Sequence, residues 1–273
     1  MDRQREVVLI GAGDIAVASA LALREQGYRT AHVLSLGRSG SAGVACDRLA
    51  AAGYDARAVR CDVTDWASIA TAAGSVTGPV GALVYSPAGE RDFTRLEDLT
   101  QSAWQHSLDV FAGGLVGGVR ALVHRLERGA SVVALSGTSA HSVVSDRHLA
   151  MGSAKAALER AVGYLAATLA GRGVRVNAVA SGPIETSSIT SMLDAEGLER
   201  LRAWQSAVTV PRRLGRPDDV GRIVASLCGP DLEWISGQVL VADGGAVPAA
   251  LADLPGEPLG GILDDSHPSG TGA

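Results

Sequence analysis

Val7-Val8-Leu9-Ile10-Gly11-Ala12-Gly13-Asp14-Ile15-Ala16 decides how this chain folds. Four apolar residues run without a polar break into Gly11, the pattern of a strand buried on both faces of a parallel sheet. An Ala- and Leu-rich stretch from about Ile15 to Gln26 follows as a helix, stopped by Gly27. Between strand and helix stands G-x-G-x-x-A. In that place Gly11 permits a tight turn, Gly13 lets backbone approach a pyrophosphate, and Ala16 lets helix and strand pack closely. Free N–H groups and the dipole at the helix start favour the anion. Asp14 has two readings: an acid beside that phosphate, or a helix cap.

Outward from this unit, strands are expected at about Thr30–Leu36, Ala56–Cys61, Ala82–Tyr85, Ser131–Leu135, Arg175–Ala180 and Gln238–Ala242. Helices are expected around Gly43–Ala52, from Trp104 to Arg128, and from the Lys155 region to about Ala170. Strands alternating with helices imply α/β architecture: one Rossmann-type, doubly wound domain with a mostly seven-stranded parallel sheet and helices on both faces. That domain is expected over residues 1–245. Residues 246–273 hold Pro248, Pro255, Pro258 and Pro268, several glycines and four acids without Lys or Arg, and read as an extended or disordered acidic tail.

The chain has 273 residues, is 47% apolar and carries a net charge of −5, which fits a globular protein and argues against nucleic-acid or anionic-membrane partners. Cys46, Cys61 and Cys228 are far apart and form no redox or metal spacing, and no His–carboxylate set has ligand spacing, so no metal is expected. No leader or spanning segment is visible, so the expected compartment is the cytoplasm. After the second strand stands Leu36-Gly37-Arg38-Ser39. An acid there would bond the adenosine ribose; Arg38 and Ser39 instead suit a 2′-phosphate, which favours NADP(H) over NAD(H).

Further motifs follow in order: Cys61-Asp62-Val63, Tyr85-Ser86-Pro87-Ala88-Gly89, Met151-Gly152-Ser153-Ala154-Lys155, Ser181-Gly182-Pro183-Ile184-Glu185-Thr186 and Val241-Ala242-Asp243-Gly244-Gly245. Over about residues 7–245 the chain resembles the short-chain dehydrogenase/reductase family. The resemblance implies that Asp62 and Val63 contact adenine and that Ser86, Ala88 and Gly89 form a cofactor-contacting turn. It also implies that Pro183, Ile184 and Thr186 hold the nicotinamide carboxamide, with Gly11, Gly13, Asp14, Ile15, Arg38 and Ser39 on the rest of the dinucleotide.

In that family Asn, Ser, Tyr and Lys act together. Matched residue by residue, the Asn position falls on Phe111, the Ser position on Gly137 and the Tyr position on Met151; Lys155 alone is kept. A thioether moves no proton. Ser136 and Thr138 flank Gly137, and a one-residue slip would bring either hydroxyl into the pocket. The enoyl-acyl-carrier-protein reductases, a divergent branch, place their Tyr seven residues before the Lys, which here is His148. Residues 148, 151 and 155 share one helix face. His148 is therefore either a proton donor or a surface residue beside Asp146 and Arg147, and His141 is a lesser candidate.

Ser187 to Val208 follows the nicotinamide turn, where the family has a substrate lid. Leu193, Leu198, Leu201 and Trp204 give it an apolar face that suits either a hydrophobic substrate or the core. Gly113, Gly114, Gly117 and Gly118 imply close approach of another backbone or of the cofactor, on a helix that lines the subunit interface in the family. The leading reading is an NADP(H)-dependent oxidoreductase acting on C=O, C=C or C=N of a small to medium hydrophobic molecule, as a homodimer or homotetramer. Two rivals remain open: a non-redox cyclase, lyase or isomerase on the same fold, and a catalytically silent dinucleotide-binding or partner protein.

Overall fold

The computed structural model describes residues 5–37, 40–87 and 94–246. Seven strands form one sheet, all neighbours parallel, in the order β3-β2-β1-β4-β5-β6-β7. They are β1 (Glu6–Ile10), β2 (Thr30–Ser35), β3 (Asp55–Arg60), β4 (Val80–Tyr85), β5 (Leu126–Gly137), β6 (Arg175–Ser181) and β7 (Val239–Ala242). Alternation along β1 sends Val8 and Ile10 to one face and Val7 and Leu9 to the other. The first face is covered by α3 (Trp66–Ala73), α5 (Gly114–Leu122) and α6 (Leu149–Leu169). The second is covered by α1 (Asp14–Leu23), α2 (Ser41–Ala51) and α9 (Pro217–Cys228). Burial on both sides explains why β1 and β4 read as unbroken apolar runs.

The strand order reverses between β1 and β4, and ligands of open parallel sheets bind at the carboxyl ends beside such a reversal. Gly11 lies there. Its N–H donates to Leu34 O at 2.9 Å, and the Ser86 N–H donates to Ile10 O at 2.8 Å.

Some expectations need correction. The helix expected from Trp104 to Arg128 is three pieces: α4 (Gln101–Leu108), a π-helical turn (Asp109–Gly113) and α5, and β5 has begun by Leu126. The glycines of α5 serve the chain's own packing. A Cβ on Gly114 would meet the Tyr85 hydroxyl at 2.1 Å and Val63 O at 2.8 Å, and one on Gly118 would meet Ile10 Cδ1 at 2.6 Å. Helices α3 and α9 escaped the sequence reading. After the nicotinamide turn come α7 (Ser187–Thr190) and α8 (Ala195–Val208). Leu193, Leu201 and Leu214 make a small core of their own there, with Ile189, Leu198 and Trp204 packed against it. Among the described residues no helix is long and apolar enough to cross a membrane. The tail from Val247 onward lies outside the described residues.

Candidate active site

Gly11 and Gly13 are glycines for different reasons. Gly11 has φ +114°, and a Cβ there would stand 2.2 Å from Ser86 O. Gly13 has an ordinary extended backbone (φ −76°, ψ 169°), caps α1 without a side chain, and would carry a Cβ into open space with nothing within 4 Å. One glycine closes the turn; the other leaves the helix start approachable. A pyrophosphate fits this arrangement.

Asp14, the first residue of α1, does not cap it: Gly13 holds the N-cap position and no side chain caps the helix. One carboxylate oxygen accepts the Ser187 N–H at 2.7 Å and the other pairs with Arg48 on α2 at 2.7 Å. The carboxyl is held below its ordinary pKa: burial pushes it up, and the Ser187 and Arg48 hydrogen bonds outweigh that. The Gly-rich turn is thus tied directly to the start of α7. Ile15 packs against the core beside it. Asp62 accepts from the Thr64 N–H and hydroxyl at 2.9 and 2.7 Å, and Val63 packs on the core. Arg38, Ser39, Ala88 and Gly89 lie outside the described residues.

The turn over residues 182–186, which the family resemblance assigns to the nicotinamide, leaves β6 and is held from behind. Ile184 pairs with Gly215, and the Glu185 N–H donates to Gly215 O at 2.8 Å. The Thr186 hydroxyl accepts the Ile189 N–H at 3.3 Å and so caps α7. Beneath Pro183 is a cavity of about 220 Å³ lined by Gln205, Thr209, Asp219 and Asp243. Gln205 is buried there, and its Nε2 has no partner. A larger cavity, about 580 Å³, opens between Arg5, Tyr28 and Arg175. It lies at the amino ends of the strands, away from this chemistry, and the Arg175 guanidinium is engaged by Leu227, Gly229 and Leu232 carbonyls.

Lys155 sits on the α6 face that meets β5. Its Nζ donates to Leu135 O at 2.7 Å and stands 4.2 Å from the centre of the Phe111 ring. Phe111, at the family's Asn position, therefore gives Lys155 a π face in place of an amide. Burial pulls the amine down to about 8, with Glu159 opposing. Met151 packs partly buried against the core. Ser136 and Thr138 are both buried. Ser136 donates to Glu159 at 2.5 Å, and the same Glu159 oxygen stands 3.1 Å from His141 Nε2. The Thr138 carbonyl accepts the His141 and Ser142 N–H groups, both at 3.0 Å. His148 is buried, with Nδ1 2.8 Å from the Ser145 hydroxyl. Glu159 is the site residue the sequence reading missed; its place four residues after Lys155 was the available signal.

Among the described residues no cluster of three or more His, Cys, Asp or Glu side chains is arranged to hold a metal ion.

A doubly wound parallel sheet with an open Gly-rich turn and a buried lysine at its carboxyl end defines a dinucleotide-dependent oxidoreductase scaffold. Residues 11–247 match the family model described as "Enoyl-(Acyl carrier protein) reductase". The chain is 31% identical over 203 residues to the NADH-dependent enoyl-[acyl-carrier-protein] reductase of Escherichia coli, covering 72% of this chain and 76% of that protein. It is 28% identical over 252 residues to the versicolorin reductase of Emericella nidulans, covering 88% and 94%. Among solved structures, a short chain dehydrogenase from Burkholderia cenocepacia in complex with NADP superposes with a TM-score of 0.78 at 26% identity, covering 89% of this chain and 98% of that one. A dehydrogenase/reductase from Sinorhizobium meliloti gives a TM-score of 0.80 at 25% identity, covering 89% and 95%. The chain belongs to the short-chain dehydrogenase/reductase superfamily of NAD(P)-dependent oxidoreductases, in the family of the enoyl-acyl-carrier-protein reductases.

Proposed function

We propose that this protein is an NADP(H)-dependent reductase of a C=C, C=O or C=N bond in a small to medium hydrophobic molecule. The observation that carries the reading is the pair of glycines at the sheet reversal, one clamped and one open, at the same strand ends as Lys155. Gly11, Gly13 and Ile15 form the pyrophosphate turn, and Asp14 fixes its distance from the lid. Asp62 and Val63 flank the adenine; Ser86, with Ala88 and Gly89, backs the nicotinamide ribose. Pro183, Ile184 and Thr186 hold the carboxamide. The absence of an acid at Ser35–Gly37, with Arg38 and Ser39 next, supports NADP(H). The E. coli relative is named for NADH, so cofactor choice is the point to test.

When bound, the reduced dinucleotide supplies a hydride. The chain's own residues orient it, exclude water and supply the proton. Lys155 is held for the ribose by Leu135 O and Phe111. Among Ser136, Thr138 and His148 we place the proton donor on Ser136, whose hydroxyl is bonded to the Glu159 carboxylate; His148 is the alternative donor. The likeness to enoyl reductases supports an activated C=C as the first bond to try. The substrate meets the lid formed by α7 and α8. Self-association through α5 and α6, as a dimer or tetramer, completes the proposal.

Fluorescence titration with NADPH and NADH tests it. NADPH should bind more tightly, and Arg38→Asp should erase the difference. Equal affinities in the unaltered protein overturn the cofactor preference. Tight dinucleotide binding with no hydride transfer to any enone, carbonyl or imine gives the non-redox readings the lead.

A further inference from the structure

We infer that Glu159 and His141 form a proton relay that reloads Ser136 from solvent, replacing the tyrosine this chain lacks. The inference rests on the reductase reading above. Three groups stand in line. The Ser136 hydroxyl is 5% exposed at the carboxyl end of β5. Its oxygen is 2.5 Å from Glu159 Oε1. That same oxygen is 3.1 Å from His141 Nε2, and the side-chain exposures are 10% for Glu159 and 39% for His141. The line runs from a buried strand end, through an enclosed carboxyl, to a ring in contact with water. Three elements supply it: β5, α6 and the loop between them. Among the described residues, His141 from the loop and Lys155 one turn earlier on its own helix face Glu159. The Lys155 ammonium is bonded to the carbonyl of Leu135, the residue before Ser136, so the relay ends beside the one family residue that is kept.

The chemistry needs such a supply. Hydride addition to carbon drives the π pair of C=X onto X, which must then take a proton. An isolated serine hydroxyl is a weak acid, and once it gives its proton it must regain one from a stronger source. The contact between Ser136 and Glu159 serves both directions. In the resting form Ser136 donates to the carboxylate. When His141 passes its proton to Glu159, the carboxylic acid donates to the Ser136 oxygen, and the serine hydrogen turns towards X. Transfer then moves one proton from Ser136 to X and one from Glu159 to Ser136, and solvent reprotonates His141. Each turnover consumes one hydride equivalent and one solvent proton, and no other reactant is required. Glu159 and His141 act through Ser136; they are positioning and relay residues.

The test uses the full chain and Glu159→Gln, which keeps size and acceptor but carries no proton. With NADPH and an enone or carbonyl that the unaltered protein reduces, turnover should fall roughly 10²-fold, with dinucleotide affinity unchanged. His141→Ala, at a half-exposed site, should lower turnover roughly tenfold. Added imidazole should restore it, which a purely structural role would not allow. A readout independent of turnover is the NMR spectrum of the His141 ring in the dinucleotide-free protein: Glu159→Gln should move its ring nitrogen resonances, because the carboxylate 3.1 Å from Nε2 is lost. Unmoved His141 resonances, or full activity in both variants, overturn the relay alone. An unaltered protein that transfers no hydride overturns the reductase reading and the relay with it. If Glu159→Gln does not fold, imidazole rescue of His141→Ala decides.

Discussion

The turn after β1 and the segment after β5 stand at the same edge of one sheet, yet they were built under different rules. The β1 turn works through backbone. Gly11 and Gly13 are needed because side chains must be absent, and that requirement is local. The β5 segment works through side chains that meet from three elements: Ser136 from a strand end, His141 from a loop, and Lys155 and Glu159 from a helix. There the family's Asn, Ser and Tyr positions hold Phe111, Gly137 and Met151, and the polar groups that remain are wired differently. The residues of the Gly-rich turn follow the family pattern, while the side chains beyond β5 depart from it.

The sharpest way to break this contrast is within the glycine pair. Gly13→Val should leave the melting temperature within a few degrees and lower dinucleotide affinity by about 100-fold or more, since the branched side chain fills open space where phosphate must lie. Gly11→Ala should do the reverse kind of damage. A Cβ 2.2 Å from Ser86 O on a φ of +114° combines overlap and backbone strain, costing about 3–5 kcal/mol in denaturant melts. A Gly13→Val protein that still binds NADPH tightly would remove the cofactor half of the comparison.

His148→Ala tests the other half. If Ser136 gives the proton, turnover should fall less than about tenfold; a fall of about 10²–10⁴-fold would move the donor to His148. Measurement at saturating substrate with each cofactor separates the two.

Lys155→Met sharpens the link between the halves. Burial holds the Lys155 amine near 8 in the folded protein against an ordinary value of 10.5. Between those values the unfolded chain binds more protons than the folded one, so the unaltered protein gains stability as pH rises through that window. The cost of the buried charge is fully present below pH 8 and gone above about pH 10.5. Any stability advantage of Lys155→Met in urea melts should therefore shrink across that range, whatever happens to activity.

The smallest expected effect is at Asp219, which lines the cavity beneath Pro183 and accepts the Arg216 N–H at the start of α9. Arg213 hydrogen bonds hold its carboxyl at about 2. That stabilisation is present above pH 4 and disappears as pH falls through 2. The pair is partly exposed, so Asp219→Asn should cost under about 1 kcal/mol at pH 7. The difference from the unaltered protein should close in acid melts.

What was legible in the sequence follows the same division. All seven strands were readable, most to within a residue or two; in central strands such as β1 and β4 burial on both faces imposes apolar runs, while β3 and β7 are far less buried. Helix α9 was missed although Pro217-Asp218-Asp219 opens it, and α3 was missed because its 8 residues give only about two turns of pattern. The break at Asp109–Gly113 was hidden in a run of helix-compatible residues. Lys155 and Ser136 were visible from spacing. The role of Glu159 was not, because it depends on a loop and a strand end folding back onto α6. Nor was the pairing of Asp14 with Arg48 and Ser187, which are respectively 34 and 173 positions away.

The buried amine of Lys155 also makes the protein readable from outside. An amine that loses its proton near pH 8 is a far better nucleophile at that pH than an ordinary lysine, and Lys155 is the only lysine of the chain. Amine-directed acylation followed by peptide mass mapping should mark residue 155 preferentially. A dinucleotide seated over it should shield it, so the extent of labelling would report cofactor occupancy before any substrate is known.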